Sequence, residues 1–96
     1  MSQFIVRVVL HAVAELSHQN YTYLHAAMTN AGFSRKIKTD SREWYHLPPA
    51  EYWITGSHTI SDVYYMAQTA ANTVDKNNGI LISECVRIKW EGLKPA

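Results

Sequence analysis

Runs of β-branched and alternating residues mark the strands of this chain. Residues 3–11 are apolar on both faces and too short for a typical helix, so they predict a central strand. Residues 51–55 have strand composition and predict a second central strand. Residues 80–90 alternate apolar and polar positions, which predicts a half-buried final strand.

A hairpin is predicted before the second central strand. Residues 33–39 alternate apolar positions with lysines, a pattern that suits an edge strand protected against pairing with other chains. A polar turn follows at 40–43, and the returning arm should end near Leu47. Pro48 and Pro49 come next, and two prolines cannot both lie in a hydrogen-bonded central ladder.

Two segments carry the apolar stripe of an amphipathic helix. Residues 20–31 have apolar positions at i, i+3, i+4 and i+7, with Asn20 as the expected N-cap. Residues 59–74 have a longer stripe, and Thr59 and Asp62 are spaced as a variant of the capping box. Both segments are therefore predicted to be helices that bury one face.

The order of these elements predicts the fold class. The pattern β-α-β-β-α-β indicates an α+β, ferredoxin-like sandwich with two helices on one face of a four-stranded antiparallel sheet of order 4-1-3-2. The other sheet face should be open. We expect residues 1–93 to form this single domain and residues 94–96 to be a loose C-terminal tail.

Composition narrows the class of protein without naming a function. The 96 residues are 47% hydrophobic and 18% charged, as in ordinary globular domains, and nine basic against eight acidic side chains give a net charge of +1. Any binding of nucleic acid must therefore come from local clustering of charge. Cys85 is the single cysteine, and no run of about 18 apolar residues is present. We expect a cytoplasmic protein that does not enter a membrane.

The residue types that bind metals are scattered along the sequence. His11, His18 and His25 recur every seven residues but fall on a strand end, a connection and a helix, so helical spacing cannot align them. The eight acidic residues show no metal-loop spacing. We expect neither a metal site nor another cofactor.

Basic and aromatic residues cluster on the predicted hairpin, in Arg35, Lys36, Lys38, Arg42, Trp44, Tyr45 and His46. Cations can hold phosphates while exposed rings stack unpaired bases, which describes a surface for single-stranded RNA. The same pattern also suits a solvated edge strand whose aromatic side chains are buried in the core. Both interpretations stay open. Arg7, Trp53, Arg87 and Lys89 could form a second such surface on the open sheet face, although Ile5 and Val9 beside them fit a homodimer interface equally well.

Several short motifs resemble one known family. They are Val8-Val9-Leu10-His11, Leu24-His25-x-x-Met28, Gly32-Phe33-Ser34-Arg35, the run from Tyr45 to Tyr52, the run from Ile80 to Glu84, and Trp90-Glu91-Gly92-Leu93. Together they look like the GhoS family, the endoribonuclease antitoxins of type V toxin and antitoxin systems. The resemblance implies a ferredoxin-like fold akin to the small nuclease of CRISPR adaptation, and cleavage of a toxin's messenger RNA. Where that nuclease has a metal-binding aspartate, this chain has His11.

The resemblance supplies no catalytic residues, so candidates must come from chemistry. RNA can be cut without a metal when its 2′-hydroxyl attacks the phosphate with help from a base, an acid and a cation. Histidine can serve as either base or acid near neutral pH. His11 and His46 are the candidates for proton transfer, and Arg35 is the candidate for the phosphate. The alternative is a catalytically silent ferredoxin-like module that dimerises or binds a protein or small ligand.

Overall fold

The computed structural model describes residues 2–96, which form two helices and five strands. In chain order these elements are β1 (Ser2–Leu10), α1 (Gln19–Asn30), β2 (Lys36–Lys38), β3 (Trp44–His46), β4 (Glu51–Gly56), α2 (Ile60–Asn72) and β5 (Asn78–Cys85).

The strands form two antiparallel sheets. One has three strands in the order β4-β1-β5, and the other is the β2-β3 hairpin. Strand β1 lies in the centre, where Phe4 is opposite Ile54 on one side and Glu84 on the other. The protein is thus a small α+β fold, and the predicted central position of residues 3–11 is confirmed.

Alternation along β1 separates the core from the open face of the sheet. Its residues Phe4, Val6, Val8 and Leu10 are fully buried. They join buried residues of both helices and of β4 in one core, so both helices pack on this face of the sheet. Arg7 and Val9 on the opposite face of β1 remain exposed.

The hairpin is joined to the three-stranded sheet at one place. Ser34 and Trp53 exchange two backbone hydrogen bonds of 2.8 Å. Residues 33–39 do not continue from there as a long edge strand, because Arg35 is a bend and β2 then pairs with β3. Ile37 is buried although it lies outside the main core, and Trp44 packs against Trp53 with ring centroids 6.2 Å apart. The hairpin therefore leans on part of the open sheet face.

Side-chain caps start both helices. The capping box of α2 is confirmed, since Asp62 N donates to Thr59 Oγ1 at 3.1 Å and Thr59 N donates to the Asp62 carboxylate at 2.9 Å. For α1 the N-cap is His18 rather than Asn20, because His18 Nδ1 accepts the hydrogen bond of Asn20 N at 3.0 Å. An imidazole nitrogen here takes the place of the oxygen that usually caps a helix.

Two predicted boundaries at the end of the chain need correction. The last strand ends at Cys85 instead of continuing to residue 90, and Val86 is 94% exposed. Residues 94–96, expected to be a loose tail, lie antiparallel to β3: His46 N donates to Lys94 O and Ala96 N donates to Trp44 O, both at 2.9 Å. These bonds cover the outer edge of the hairpin.

Candidate nucleic-acid interface

A groove of about 590 Å³ lies between the hairpin, the start of β1 and the segment 86–90. It is lined by Gln3, Ile37, Lys38, Thr39, Asp40, Tyr45, Val86, Arg87, Ile88, Lys89 and Trp90. Three of these side chains are cationic and one is acidic. Tyr45 and Trp90 meet edge to face with ring centroids 5.7 Å apart, so an aromatic pair and a net positive charge share the groove.

Further aromatic surface lies beside this groove, on the hairpin. Lys38 Nζ lies 5.6 Å from the centroid of the Trp44 ring, within the range of a cation–π contact. Trp44 remains 41% exposed although it packs against Trp53. Trp53 is held in place because its Nε1 donates to Gln3 Oε1 at 3.2 Å. The exposed part of the Trp44 ring is thus presented on a fixed support.

The groove combines residues from the two surfaces that the sequence predicts separately. Lys38 and Tyr45 come from the hairpin surface, whereas Arg87 and Lys89 come from the surface assigned to the open sheet face. They meet because the chain leaves β5 at Cys85 and the following segment lies beside the hairpin.

Other predicted binding residues lie outside the groove. Lys36 is exposed at the start of β2, and Arg42 is exposed in the hairpin turn with a left-handed φ of 65°. Arg7 is exposed on the open sheet face, opposite Glu51 in β4 and Leu81 in β5.

The two candidate catalytic histidines belong to different parts of the fold. His11 follows β1, where its backbone N donates to Asn77 O at 3.0 Å and its ring lies over Gly79. His46 ends β3 beside residues 94–96. Both are exposed, and no hydrogen bond of residues 2–96 joins them to each other. The structure gives no shared catalytic centre to this pair.

A different histidine is built into a polar cluster that the sequence did not predict. His25 Nδ1 lies 2.6 Å from the Tyr52 hydroxyl, and the two rings are tilted with centroids 5.8 Å apart. Tyr52 is completely buried, and its burial raises the pKa of its phenol. Partial burial, and then the charge of Arg35, lower the pKa of His25. Arg35 is exposed next to the Ser34–Trp53 bridge.

The lowered pKa of His25 makes stability depend on pH. The unfolded chain binds a proton at His25 more readily than the folded protein does. The contribution of neutral His25 to the free energy of unfolding is therefore complete above the ordinary histidine pKa of 6.5, and it is lost as the pH falls below that value. We expect the free energy of unfolding to fall more between pH 7.5 and 5.5 in the parent than in a His25→Gln variant, as measured by urea unfolding at both pH values. Val86→Ala, an exposed substitution that removes no titratable group, is the control and should keep the pH dependence of the parent. Parallel pH dependence in parent and His25→Gln would contradict this assignment.

Comparisons with known proteins give no match, either to a family model, to a curated protein or to a solved structure. Among residues 2–96 no group of three or more His, Cys, Asp or Glu side chains could hold a metal ion. Neither α1 nor α2 has the length and apolar character of a membrane-spanning helix.

Proposed function

We propose that the protein binds single-stranded RNA and cleaves it, as an endoribonuclease of the GhoS antitoxin type in the cytoplasm. The observation that supports this most is the groove, in which Lys38, Arg87 and Lys89 lie with the Tyr45–Trp90 pair and next to Trp44. Single-strand binding surfaces combine these two features, since cations follow the phosphates and ring faces stack the bases.

The proposed ferredoxin-like relationship depends on the Ser34–Trp53 bridge. In that fold the edge strand would pair with the strand here numbered β4, and the bridge joins those two segments antiparallel. We infer that the hairpin is this edge strand, bent away after Ser34. The bend moves Lys38 and Trp44 towards the open sheet face, where Trp44 reaches Trp53.

The proposed chemistry uses the RNA's own 2′-hydroxyl as the nucleophile. A base removes its proton, the oxygen attacks the phosphorus, and an acid protonates the departing 5′-oxygen, which leaves a cyclic phosphate on one product. Arg35 is the candidate to neutralise the phosphate, since it is exposed and a guanidinium can donate two hydrogen bonds to phosphate oxygens. His46 lies on the same hairpin and is the first candidate for proton transfer, with His11 as the second.

The decisive experiment is RNA cleavage with and without excess chelator. Purified protein should cut a single-stranded RNA equally well in both conditions and should leave a cyclic phosphate end, because the 2′-hydroxyl route needs no metal. Abolition by the chelator and recovery with magnesium or manganese would contradict the metal-free mechanism and direct attention to Glu51 and Glu84. Absence of cleavage under every condition would contradict the enzymatic proposal.

Arg35 and His46 should separate binding from cleavage. Arg35→Ala should remove about one phosphate contact and flatten the dependence of log affinity on log salt by about 0.7. His46→Ala should slow cleavage while leaving affinity nearly unchanged, since its role is proton transfer. Fluorescence anisotropy and single-turnover cleavage measure the two effects, and unfolding curves must match the parent. If both variants bind and cut like the parent, these assignments are wrong.

A second candidate function is dimerisation of a catalytically silent module through the open sheet face. Exposed apolar side chains there favour it: Leu81 is 65% exposed and Val9 is 37% exposed on neighbouring strands. Trp44 covers the face beside Trp53. A stable homodimer without cleavage activity would support this alternative over the enzyme.

A further inference from the structure

The hydrogen bond between Tyr52 and His25 fixes which imidazole nitrogen carries the hydrogen. Tyr52 is 0% exposed, and the described residues offer its hydroxyl one hydrogen-bond partner, His25 Nδ1 at 2.6 Å. A buried hydroxyl hydrogen without an acceptor is costly, so the phenol donates and Nδ1 accepts. Neutral imidazole has one N–H, which must then be on Nε2. His25 is only partly buried, and this second nitrogen is the one left for a ligand.

Arg35 comes close to the same place through the backbone. Ser34 pairs antiparallel with Trp53, the neighbour of Tyr52, so the chain enters Arg35 from a point next to Tyr52. Together with partial burial, the charge of Arg35 lowers the pKa of His25, which agrees with this position. The backbone carbonyl of Arg35 accepts a hydrogen bond from Leu47 N at 2.9 Å, which holds this bend in position. Arg35 as a whole remains exposed.

We propose that His25 and Arg35 form a phosphate-binding site, in which Arg35 supplies the positive charge and His25 donates a neutral hydrogen bond from Nε2. Tyr52 acts as the positioning residue that holds the imidazole in this form. His25 is then a donor and not a general base, because Nε2 has no free lone pair. That the phosphate is a phosphodiester of RNA rests on the proposed function.

The test is NMR of protein carrying ¹⁵N-labelled histidine, titrated with inorganic phosphate and with a nucleoside 3′-monophosphate. The parent should show His25 as the Nε2–H tautomer, and its Nε2 signal should shift saturably with either probe. Tyr52→Phe should lose the preference for one tautomer. Arg35→Ala should weaken binding about tenfold, the equivalent of one charge-assisted hydrogen bond, whereas Lys76→Ala, a matched loss of charge elsewhere, should stay within about twofold of the parent.

An Nδ1–H tautomer in the parent, or a His25 signal unchanged by both probes, would overturn the proposal. Equal weakening in Arg35→Ala and Lys76→Ala would also overturn it, because the response would then reflect net charge alone. Tighter binding of the nucleotide than of phosphate supports a nucleic-acid ligand, and equal binding supports a site for simple phosphates.

The two proposals can fail separately. A saturable phosphate response in a protein that neither binds nor cuts RNA would support the site and reject the RNA function. If the protein cleaves RNA but the NMR signal of His25 does not change with either probe, the result would support the enzyme and reject this site.

Discussion

Phe4→Ala is expected to lower the free energy of unfolding by about 3–5 kcal/mol. Phe4 is completely buried in the central strand, between Ile54 of β4 and Glu84 of β5 in the register, and its side chain faces the helices. Truncation would leave a cavity where three elements meet. Small domains are stable by only about 5–15 kcal/mol, so the variant should unfold at a much lower urea concentration.

Val86→Ala is the control for this prediction. Val86 is 94% exposed just after β5, so its truncation should change stability by less than about 0.5 kcal/mol. Urea unfolding followed by circular dichroism measures both variants. A loss below about 1 kcal/mol for Phe4→Ala would show that the core is not organised around β1.

The helices and the central strand could be predicted because their signals are local. Thr59 and Asp62 are three residues apart and their mutual hydrogen bonds need no other part of the chain. The end of β5 could not be predicted in this way. Residues 86–90 keep the alternating pattern of a strand, but the pairing between β1 and β5 begins at Gln3 and Cys85, so Val86 has no partner there. A strand ends where its backbone N–H and C=O groups no longer pair with a neighbouring strand.

The position of the hairpin could not be predicted from local sequence either. Its alternation predicts strands, which β2 and β3 confirm. Its tilt depends on Trp44 meeting Trp53, and its outer edge depends on Lys94 and Ala96. These contacts involve residues from other parts of the chain, and no local pattern specifies them.

The sequence predicts which residue types form the candidate site, but it does not predict how they are arranged. Lys38 and Tyr45 were expected on one surface, and Arg87 and Lys89 on another, but the turn after Cys85 brings them into one groove. No pattern in the sequence pairs His25 with its partner. Its hydrogen-bond partner, Tyr52, is 27 residues away, and only the packing of α1 against β4 makes them a pair.

Removing two cations of the groove should have the largest effect on RNA binding. The double variant Arg87→Ala/Lys89→Ala should lose up to about two phosphate contacts, which lowers the salt slope by about 1.4 and weakens affinity at low salt by roughly a hundredfold. The net charge of the protein is only +1, so little long-range attraction can compensate. Anisotropy titrations of a labelled single strand at several salt concentrations measure both quantities.

The matched control is Arg7→Ala/Lys76→Ala, which removes the same two residue types from the open sheet face and from the loop after α2. Because both variants change the net charge equally, a general electrostatic effect would weaken them alike. Binding through the groove requires that the control keep a salt slope close to the parent's while the slope of the groove variant falls by about 1.4. If the control weakens more than the groove variant, RNA binds across the open sheet face, and Arg7 becomes the residue on which its recognition depends.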